Sequence, residues 1–229
     1  MSDFFTHFEL LPFLNALIIG LSVASIWLVA ALGLTIIYGT MGVINMAHGE
    51  FIMLGAYTTY VLQSVLGVPF LLCLPLSFVV LAAIGWGVER SIVRKLYSRP
   101  LDTLLATWGL SLILIQGVRL IFGGSPKYVG VPDWLNFVFD AGFVHLSGLR
   151  IFIMIVAAGL VFMTWYLMYR TTLGIRIRAV MQDKEMASSF GIDSNRIYSI
   201  TFAYGAGLAG VAGALFGALK TLFPDMGGG

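Results

Sequence analysis

Long apolar stretches separated by short polar segments dominate the pattern of this chain, and residues 10–49 contain no Asp, Glu, Lys or Arg at all. A membrane-spanning helix needs about 20 mostly apolar residues, because the hydrocarbon core is about 30 Å thick. The pattern predicts about six such helices, over 12–38, 50–66, 69–89, 103–122, 150–169 and 197–222. We therefore expect an all-α, polytopic transmembrane helical bundle that forms one domain over residues 1–229.

Composition supports this class. Of the 229 residues, 59% are hydrophobic and 10% are charged, whereas a soluble domain carries about 25% charged residues. The mean hydropathy is +0.95, and too few polar groups are present to cover a surface that faces water. A net charge of +2 gives no reason to expect nucleic acid as a partner, and the single cysteine excludes an intrachain disulfide.

Basic residues are concentrated in two segments and indicate an orientation. Cytoplasmic loops carry an excess of Lys and Arg, and the two clusters are Arg90, Arg94, Lys95 and Arg99, then Arg170, Arg176, Arg178, Lys184 and Arg196. No Lys or Arg precedes residue 90, so the N-terminus is predicted to be extracytoplasmic. Six crossings then place the 123–150 loop and the C-terminus on that same outer side.

A stripe of small residues follows the last predicted span: Gly205, Ala209, Gly213 and Gly217. Small residues at this spacing let two helix backbones approach closely, and van der Waals packing drives such association in lipid. Contact within the chain and a specific contact between two chains are both compatible with the stripe.

The segment 39–50 interrupts the first apolar stretch with three glycines and several polar side chains. It can be a tight turn whose polar groups face cytoplasmic water. Alternatively it is a broken helix at membrane depth, which is tolerated where the backbone is buried in protein or lines a wet cavity. A new helix beginning near His48 would then direct its N-terminal N–H groups at a polar solute. This second interpretation predicts a solute pathway at Gly42, Asn45, His48, Gly49 and Glu50.

An ionisable residue inside the membrane is a candidate functional residue, which draws attention to His48 and Glu50. Since no second ligand lies at helical spacing from His48, no metal site is predicted.

The segment 174–191 predicts a charged, mildly amphipathic helix at the cytoplasmic side. Ile177, Val180, Met181, Lys184 and Ala187 fall along one face of a continuous helix, and Gly191 is expected to end it. Such a helix can lie on the membrane surface, or it can bind a soluble partner that changes shape.

The sequence EMASSFG at 185–191 resembles the Glu-Ala-Ala-x-x-x-Gly loop of ATP-binding-cassette (ABC) importer permeases, with Met186 replacing the first alanine. In that superfamily the loop fits a cleft on the ATP-hydrolysing subunit. The resemblance implies a coupling helix over about 171–192, with coupling residues Gly174, Arg178, Asp183, Glu185, Ala187 and Gly191.

A longer resemblance covers residues 13–226. The stretches GLTIIYG (33–39), INMAHGE (44–50) and MLGAY (53–57) are similar to the signature of branched-chain amino acid permeases of the LivH type. Within that family, MGVINMAHGE (41–50) and RPLDTLLATWG (99–109) resemble most the urea-transport branch of the UrtB type. The resemblance implies a permease that moves urea, a similar small amide or an amino acid by alternating access, and a branched-chain amino acid permease is the alternative.

The resemblance also implies partners and a location. They are a second permease subunit, two cytoplasmic ATPases that hold ATP and Mg²⁺, an extracytoplasmic solute-binding protein and the lipid of a bacterial inner membrane. No cofactor and no enzymatic activity are expected in this chain. Family members usually continue with further membrane helices, so the chain is either a short member or a C-terminal truncation.

Two other classes compete with the importer. The sequence GLSL at 109–112 has the Gly-x-Ser-x form of intramembrane serine proteases, but such an enzyme needs a base near Ser111, and His145 is predicted in the outer loop. Ser111 is expected to pack between helices instead. An ATP-independent channel for small solutes would have no need of a cytoplasmic coupling helix.

Overall fold

A computed structural model describes residues 2–97, 99–140 and 145–227 of the chain. Its helices and strands, in chain order, are α1 (Ser2–Met41), α2 (His48–Ser64), α3 (Phe70–Ser91), a 3-10 helix (Val93–Leu96), α4 (Pro100–Phe122), a 3-10 turn (Asp133–Leu135), β1 (Val138–Asp140), β2 (His145–Ser147), α5 (Gly148–Arg170), α6 (Thr172–Gln182), α7 (Lys184–Ser189) and α8 (Ser194–Leu219). The predicted all-α helical membrane bundle is confirmed. The two short strands form an antiparallel hairpin in the long loop before α5, an element that the sequence pattern did not predict.

Within the described residues, five helical stretches are long and apolar enough to cross a membrane: Phe13–Met41, Phe70–Leu96, Pro100–Phe122, Gly148–Arg170 and Ser194–Leu219. The remaining predicted span, 50–66, corresponds to α2. This helix has 17 residues and a length of about 25 Å at 1.5 Å per residue. It is therefore shorter than a full crossing requires.

Helix α8 lies at the centre of the bundle and packs against α1, α2 and α3. Its small residues permit this, since a Cβ at Gly205 would collide with α1 at Gly33, and one at Gly213 would collide with the Ile52 carbonyl of α2. Ala209 is fully buried, and Gly217 lies beside Ala56 of α2. The stripe of small residues thus faces other helices of the same chain.

The two basic clusters lie at one end of the bundle. Arg94 donates a hydrogen bond to Ser199, and the rings of Tyr97 and Tyr198 are 5.0 Å apart. At the opposite end, Lys127 pairs with Leu222 through the backbone, and the side chain of Gln63 bonds to Gly130. The helices thus alternate in direction as the charge pattern requires, and the assignment of the basic end to the cytoplasm stays a prediction.

Candidate solute pathway and coupling segment

The backbone between α1 and α2 reverses direction inside the bundle. Helix α1 ends at Met41, and Gly42 follows with φ +65°, a left-handed conformation that glycine adopts without a steric penalty. The N–H group of Gly42 still bonds to the Tyr38 carbonyl. Residues 42–45 then run without regular structure to a turn that leads into α2.

The depth of this reversal follows from one contact. His48, the first residue of α2, lies with Nε2 3.0 Å from the carbonyl oxygen of Ala30 in α1. Because Ala30 is three turns before the end of α1, α2 begins about 16 Å inside that end of the bundle. Backbone that is not helical thus lies within the length of the bundle, as the broken-helix interpretation of 39–50 predicted, with Val43, Asn45 and Ala47 buried and Ile44 and Met46 exposed.

Asn45 organises the start of α2. Its Oδ1 accepts a hydrogen bond from the N–H of Ala47, at 3.1 Å, while in the described part of the chain its Nδ2 has no partner. The N–H group of Met46, between these two residues, donates to Thr107 Oγ1 of α4 at 3.1 Å. Ala47 at the N-cap provides no side-chain bond, so the first turn of α2 carries backbone donors at a site where its dipole is positive.

The contact with Ala30 defines the tautomer of His48. A carbonyl oxygen can only accept, so Nε2 carries the hydrogen and, in the neutral ring, Nδ1 is an acceptor. The side chain is buried, and Nδ1 has no hydrogen-bond partner among the residues that the structure describes.

Glu50 projects from the first turn of α2 towards α4. It is 2% exposed, and its Oε1 accepts a hydrogen bond from Ser111 Oγ at 3.1 Å. For Oε2 the described ranges offer no hydrogen-bond partner, and this atom faces the backbone of Gly227. Gly49 also packs on Gly227, so the segment after α8 closes this side of the site.

A row of hydroxyl groups on α4 was missed by the sequence interpretation. The buried residues of α4 are Thr103, Thr107, Ser111 and Val118. The first three recur every four residues and so share one helix face. Two of these hydroxyls bond to the 42–50 region. The spacing of hydroxyls at 103, 107 and 111 was a visible signal, and Ser111 had been assigned only to helix packing.

Ser111 is not arranged as a protease nucleophile. Its hydroxyl donates to a carboxylate, and His48 donates to the Ala30 carbonyl. A serine nucleophile needs a base within hydrogen-bond reach that can take its proton and is itself oriented by a third group. Among the described residues no third group bonds to Glu50 Oε2, so the arrangement that a serine nucleophile needs is not seen there.

The predicted coupling segment, residues 171–192, follows α5 after a sharp change of chain direction. Thr171 caps α6 by accepting a bond from the Gly174 N–H at 3.2 Å, and a Cβ at Gly174 would collide with carbonyls of α5. Arg178 donates to the Met168 carbonyl and lies 5.2 Å from the ring centre of Tyr169. Arg178 therefore joins α6 to the C-terminal turn of α5, where a cation is favoured by the helix dipole.

The prediction of one continuous helix over 174–191 is wrong. The chain breaks at Asp183, whose backbone is extended (φ −156°, ψ 108°) and whose side chain caps α7 by accepting from the Met186 N–H at 2.9 Å. Asp residues favour such caps over helix interiors because the carboxylate competes for backbone donors. Gly191 follows α7 with φ +80°, and Ile192 N–H bonds back to the Ala187 carbonyl.

A groove of about 410 Å³ lies between α6, α7 and the chain that follows, lined by Ala179, Gln182, Asp183, Met186, Ala187, Phe190 and Ile192. Ala187 is buried against α6 and α8, whereas Met186 and Phe190 are 59% and 81% exposed. Glu185 is exposed in the first turn of α7. An apolar pair beside a groove, surrounded by charge, is typical of a surface that binds another protein.

A second buried carboxylate lies near the coupling segment. Both oxygens of Glu89 accept bonds from Arg94 at 3.1 Å, and Ser199 adds a third at 2.7 Å. Tyr97 donates to the same carboxylate, and its ring packs on Tyr198, over which Lys184 of α7 lies at 5.4 Å. This cluster connects α3 and α8 to α7, and the sequence interpretation did not anticipate it.

The sequence is similar to that of known transport proteins. Residues 16–227 match the family described as branched-chain amino acid transport system / permease component. The permease protein BraD of a high-affinity branched-chain amino acid transport system in Pseudomonas aeruginosa is 34% identical, over 91% of this chain and 72% of its own. The permease LivH of Escherichia coli is 31% identical over the same shares, and LivM of Escherichia coli is 27% identical over 84% of this chain and 50% of its own.

No solved structure matches the chain. The relatives named above are permease subunits of transporters, and the match covers both the 42–50 segment and the coupling segment. With its bundle of apolar helices, this multi-pass membrane protein belongs to the family of permease components of branched-chain amino acid transport systems.

Proposed function

We propose that this chain is the permease subunit of an ATP-driven importer that moves a small polar solute across a bacterial cytoplasmic membrane by alternating access. It is proposed to act with a second permease subunit, two ABC ATPases and an extracytoplasmic binding protein. ATP and Mg²⁺ belong to the ATPases, and this chain changes no covalent bond.

The coupling segment carries this proposal. Helices α6 and α7 project from the basic end and expose Met186 and Phe190 beside the groove. Lys184 and Arg178 connect the pair to α8 and α5. A soluble motor that pulls on this surface would therefore move α5 and α8, and α8 also packs against α2. A passive channel does not need a segment that transmits motion from an ATPase to the membrane helices. The presence of α6 and α7 therefore favours the importer.

A branched-chain amino acid is the solute that we propose first. The relatives BraD and LivH are named for transport of these amino acids, and this chain belongs to the same family. Urea remains a second hypothesis, which rests on the motifs at 41–50 and 99–109.

A transport assay tests the proposal. The complete importer would be reconstituted in vesicles with its ATPases and binding protein, and uptake of labelled leucine and labelled urea measured with and without ATP. We expect ATP-dependent uptake of leucine. Equal flux with and without ATP would identify a channel. Uptake of urea without uptake of leucine would identify urea, and not an amino acid, as the solute.

Phe190→Asp tests the coupling surface in the same vesicles. Because this side chain is exposed, the substitution should leave folding intact, while a charge within an apolar contact should reduce ATP-dependent uptake by about tenfold or more. Phe190→Leu is the matched control, since it keeps an apolar side chain at the same position. Uptake at the wild-type rate in Phe190→Asp would exclude this surface as the ATPase contact.

A further inference from the structure

The contact between α2 and α4 holds polar groups that packing alone does not explain. Glu50 Oε1 accepts from Ser111, and seven residues further along α2 the Tyr57 ring packs against Phe122 of α4 at 4.9 Å. Residues seven apart lie on one helix face, so Glu50 and Tyr57 both line the α2–α4 contact.

Hydrogen bonding at this contact is incomplete. In the described part of the chain, neither Glu50 Oε2 nor the Tyr57 hydroxyl has a partner, although both residues are 2% exposed. Burial of a polar group without a compensating hydrogen bond is costly, and for a charged group the cost is greater. An unsatisfied buried polar group requires an explanation, and a ligand that completes its hydrogen bonding is one.

The local charge indicates which ligand fits. Asp225 lies in the segment after α8, two residues before Gly227, whose backbone packs against Gly49 and Glu50 Oε2. Arg119 of α4 pairs with Asp225, so Glu50, Asp225 and Arg119 together carry one negative charge when Glu50 is ionised. A carboxylate oxygen can only accept, and the group that completes it must supply N–H or O–H donors, preferably with positive charge.

We propose that Glu50 Oε2 binds the N–H-bearing head group of the transported solute, an ammonium or an amide, in the contact between α2 and α4. This inference rests on the proposed function and adds the residue that recognises the solute inside the membrane. Ser111 holds the carboxylate in place, and the Tyr57 hydroxyl offers a second polar contact along the same face.

The remaining groups of the 42–50 region complete a site for both ends of a small polar solute. Asn45 Nδ2 and the first backbone N–H groups of α2 are donors for a carbonyl or carboxylate. The backbone of Gly227 covers Glu50 Oε2, so the structure shows this side of the site closed.

The test uses the complete importer in vesicles with Glu50→Gln, which keeps the size of the side chain and removes the charge. We expect uptake to fall by at least about tenfold, which corresponds to about 1.4 kcal/mol, with assembly and ATP hydrolysis retained. Thr59→Val is the matched control. It removes a buried hydroxyl from α2 that bonds to Ser77 of α3, outside the α2–α4 contact, and it should keep uptake within twofold (about 0.4 kcal/mol).

Leucine and urea form separate arms of this experiment. Loss of leucine uptake identifies an ammonium as the head group, and loss of urea uptake identifies an amide. Wild-type uptake by Glu50→Gln in both arms would overturn the inference without touching the proposed importer.

A second measurement does not depend on ATP. A hydrophobic carbodiimide should label Glu50 in the purified complex, and millimolar leucine or urea should slow that labelling, as read by mass spectrometry. If the wild-type complex showed no ATP-driven uptake, the proposed function would fail, and labelling unchanged by either solute would then also overturn the assignment of Glu50.

Discussion

Two buried glutamates in the described part of the chain, Glu89 and Glu50, lie in opposite environments. Glu89, at the basic end, is 0% exposed and accepts bonds from Arg94, Ser199 and Tyr97. Glu50, at mid-depth, is 2% exposed and accepts from Ser111. Its other oxygen has no partner within residues 2–97, 99–140 and 145–227.

The difference separates a structural carboxylate from one suited to a ligand. The bonds to Glu89 offset its desolvation and join α3 to α8, so the cluster holds the bundle together near the coupling segment. Glu50 lacks that compensation and lies where non-helical backbone enters the membrane interior. Substitutions at the two sites should therefore affect different properties.

Glu89→Ala should have the largest effect on stability. Removing the carboxylate deletes the hydrogen bonds that Arg94, Ser199 and Tyr97 donate to it, and because bonds to charged groups contribute about 1.5–3 kcal/mol each, the loss should be at least about 3 kcal/mol. Thermal unfolding in detergent should show a large drop in midpoint. The double variant Glu89→Leu with Arg94→Met should recover part of the loss, because no buried charge is then left alone. If Glu89→Ala kept the stability of the wild type, Glu89 would not have the structural role that separates it from Glu50.

Tyr97→Phe should have an intermediate effect. The substitution deletes one hydrogen bond to the Glu89 carboxylate while keeping the ring against Tyr198. Hydrogen bonds to charged groups contribute about 1.5–3 kcal/mol, so the free energy of unfolding in detergent should fall by about that amount. Tyr128→Phe, at an exposed position of the loop between α4 and α5, is the control and should change nothing measurable.

Tyr57→Phe should have the smallest effect on stability. The hydroxyl is buried, and among the described residues it bonds to nothing, so its removal should be neutral or stabilising by up to about 1 kcal/mol. Uptake should nonetheless decrease, since the α2–α4 contact loses a polar group. A loss of stability like that of Tyr97→Phe would mean that the Tyr57 hydroxyl already has a partner.

Much of the fold was predictable because the bilayer imposes length and polarity on each helix. The charge-free stretch before Glu50 predicted α1, and its interruption at Asn45 and His48 predicted the start of α2. The break at Asp183 was not predicted, because a helical pattern of apolar residues continues across it while the local Asp cap prevails. Of the candidate site, the sequence indicated Glu50, because an acidic residue inside the membrane is unusual. It did not indicate Ser111, because a hydroxyl group on an apolar helix has several common roles.

The sequence by itself determined that the chain is a helical membrane protein, because charged and apolar residues are separated along it and lipid admits few alternatives for the backbone. It also placed the two basic clusters at one end. The tertiary structure decided which of two buried carboxylates is satisfied. Arg94, Ser199 and Tyr97 bond to Glu89 where α3 packs against α8, whereas among the described residues only Ser111 donates a hydrogen bond to Glu50. Ser199 and Ser111 are each far from their glutamate in the sequence, so only the packing of the helices brings them together.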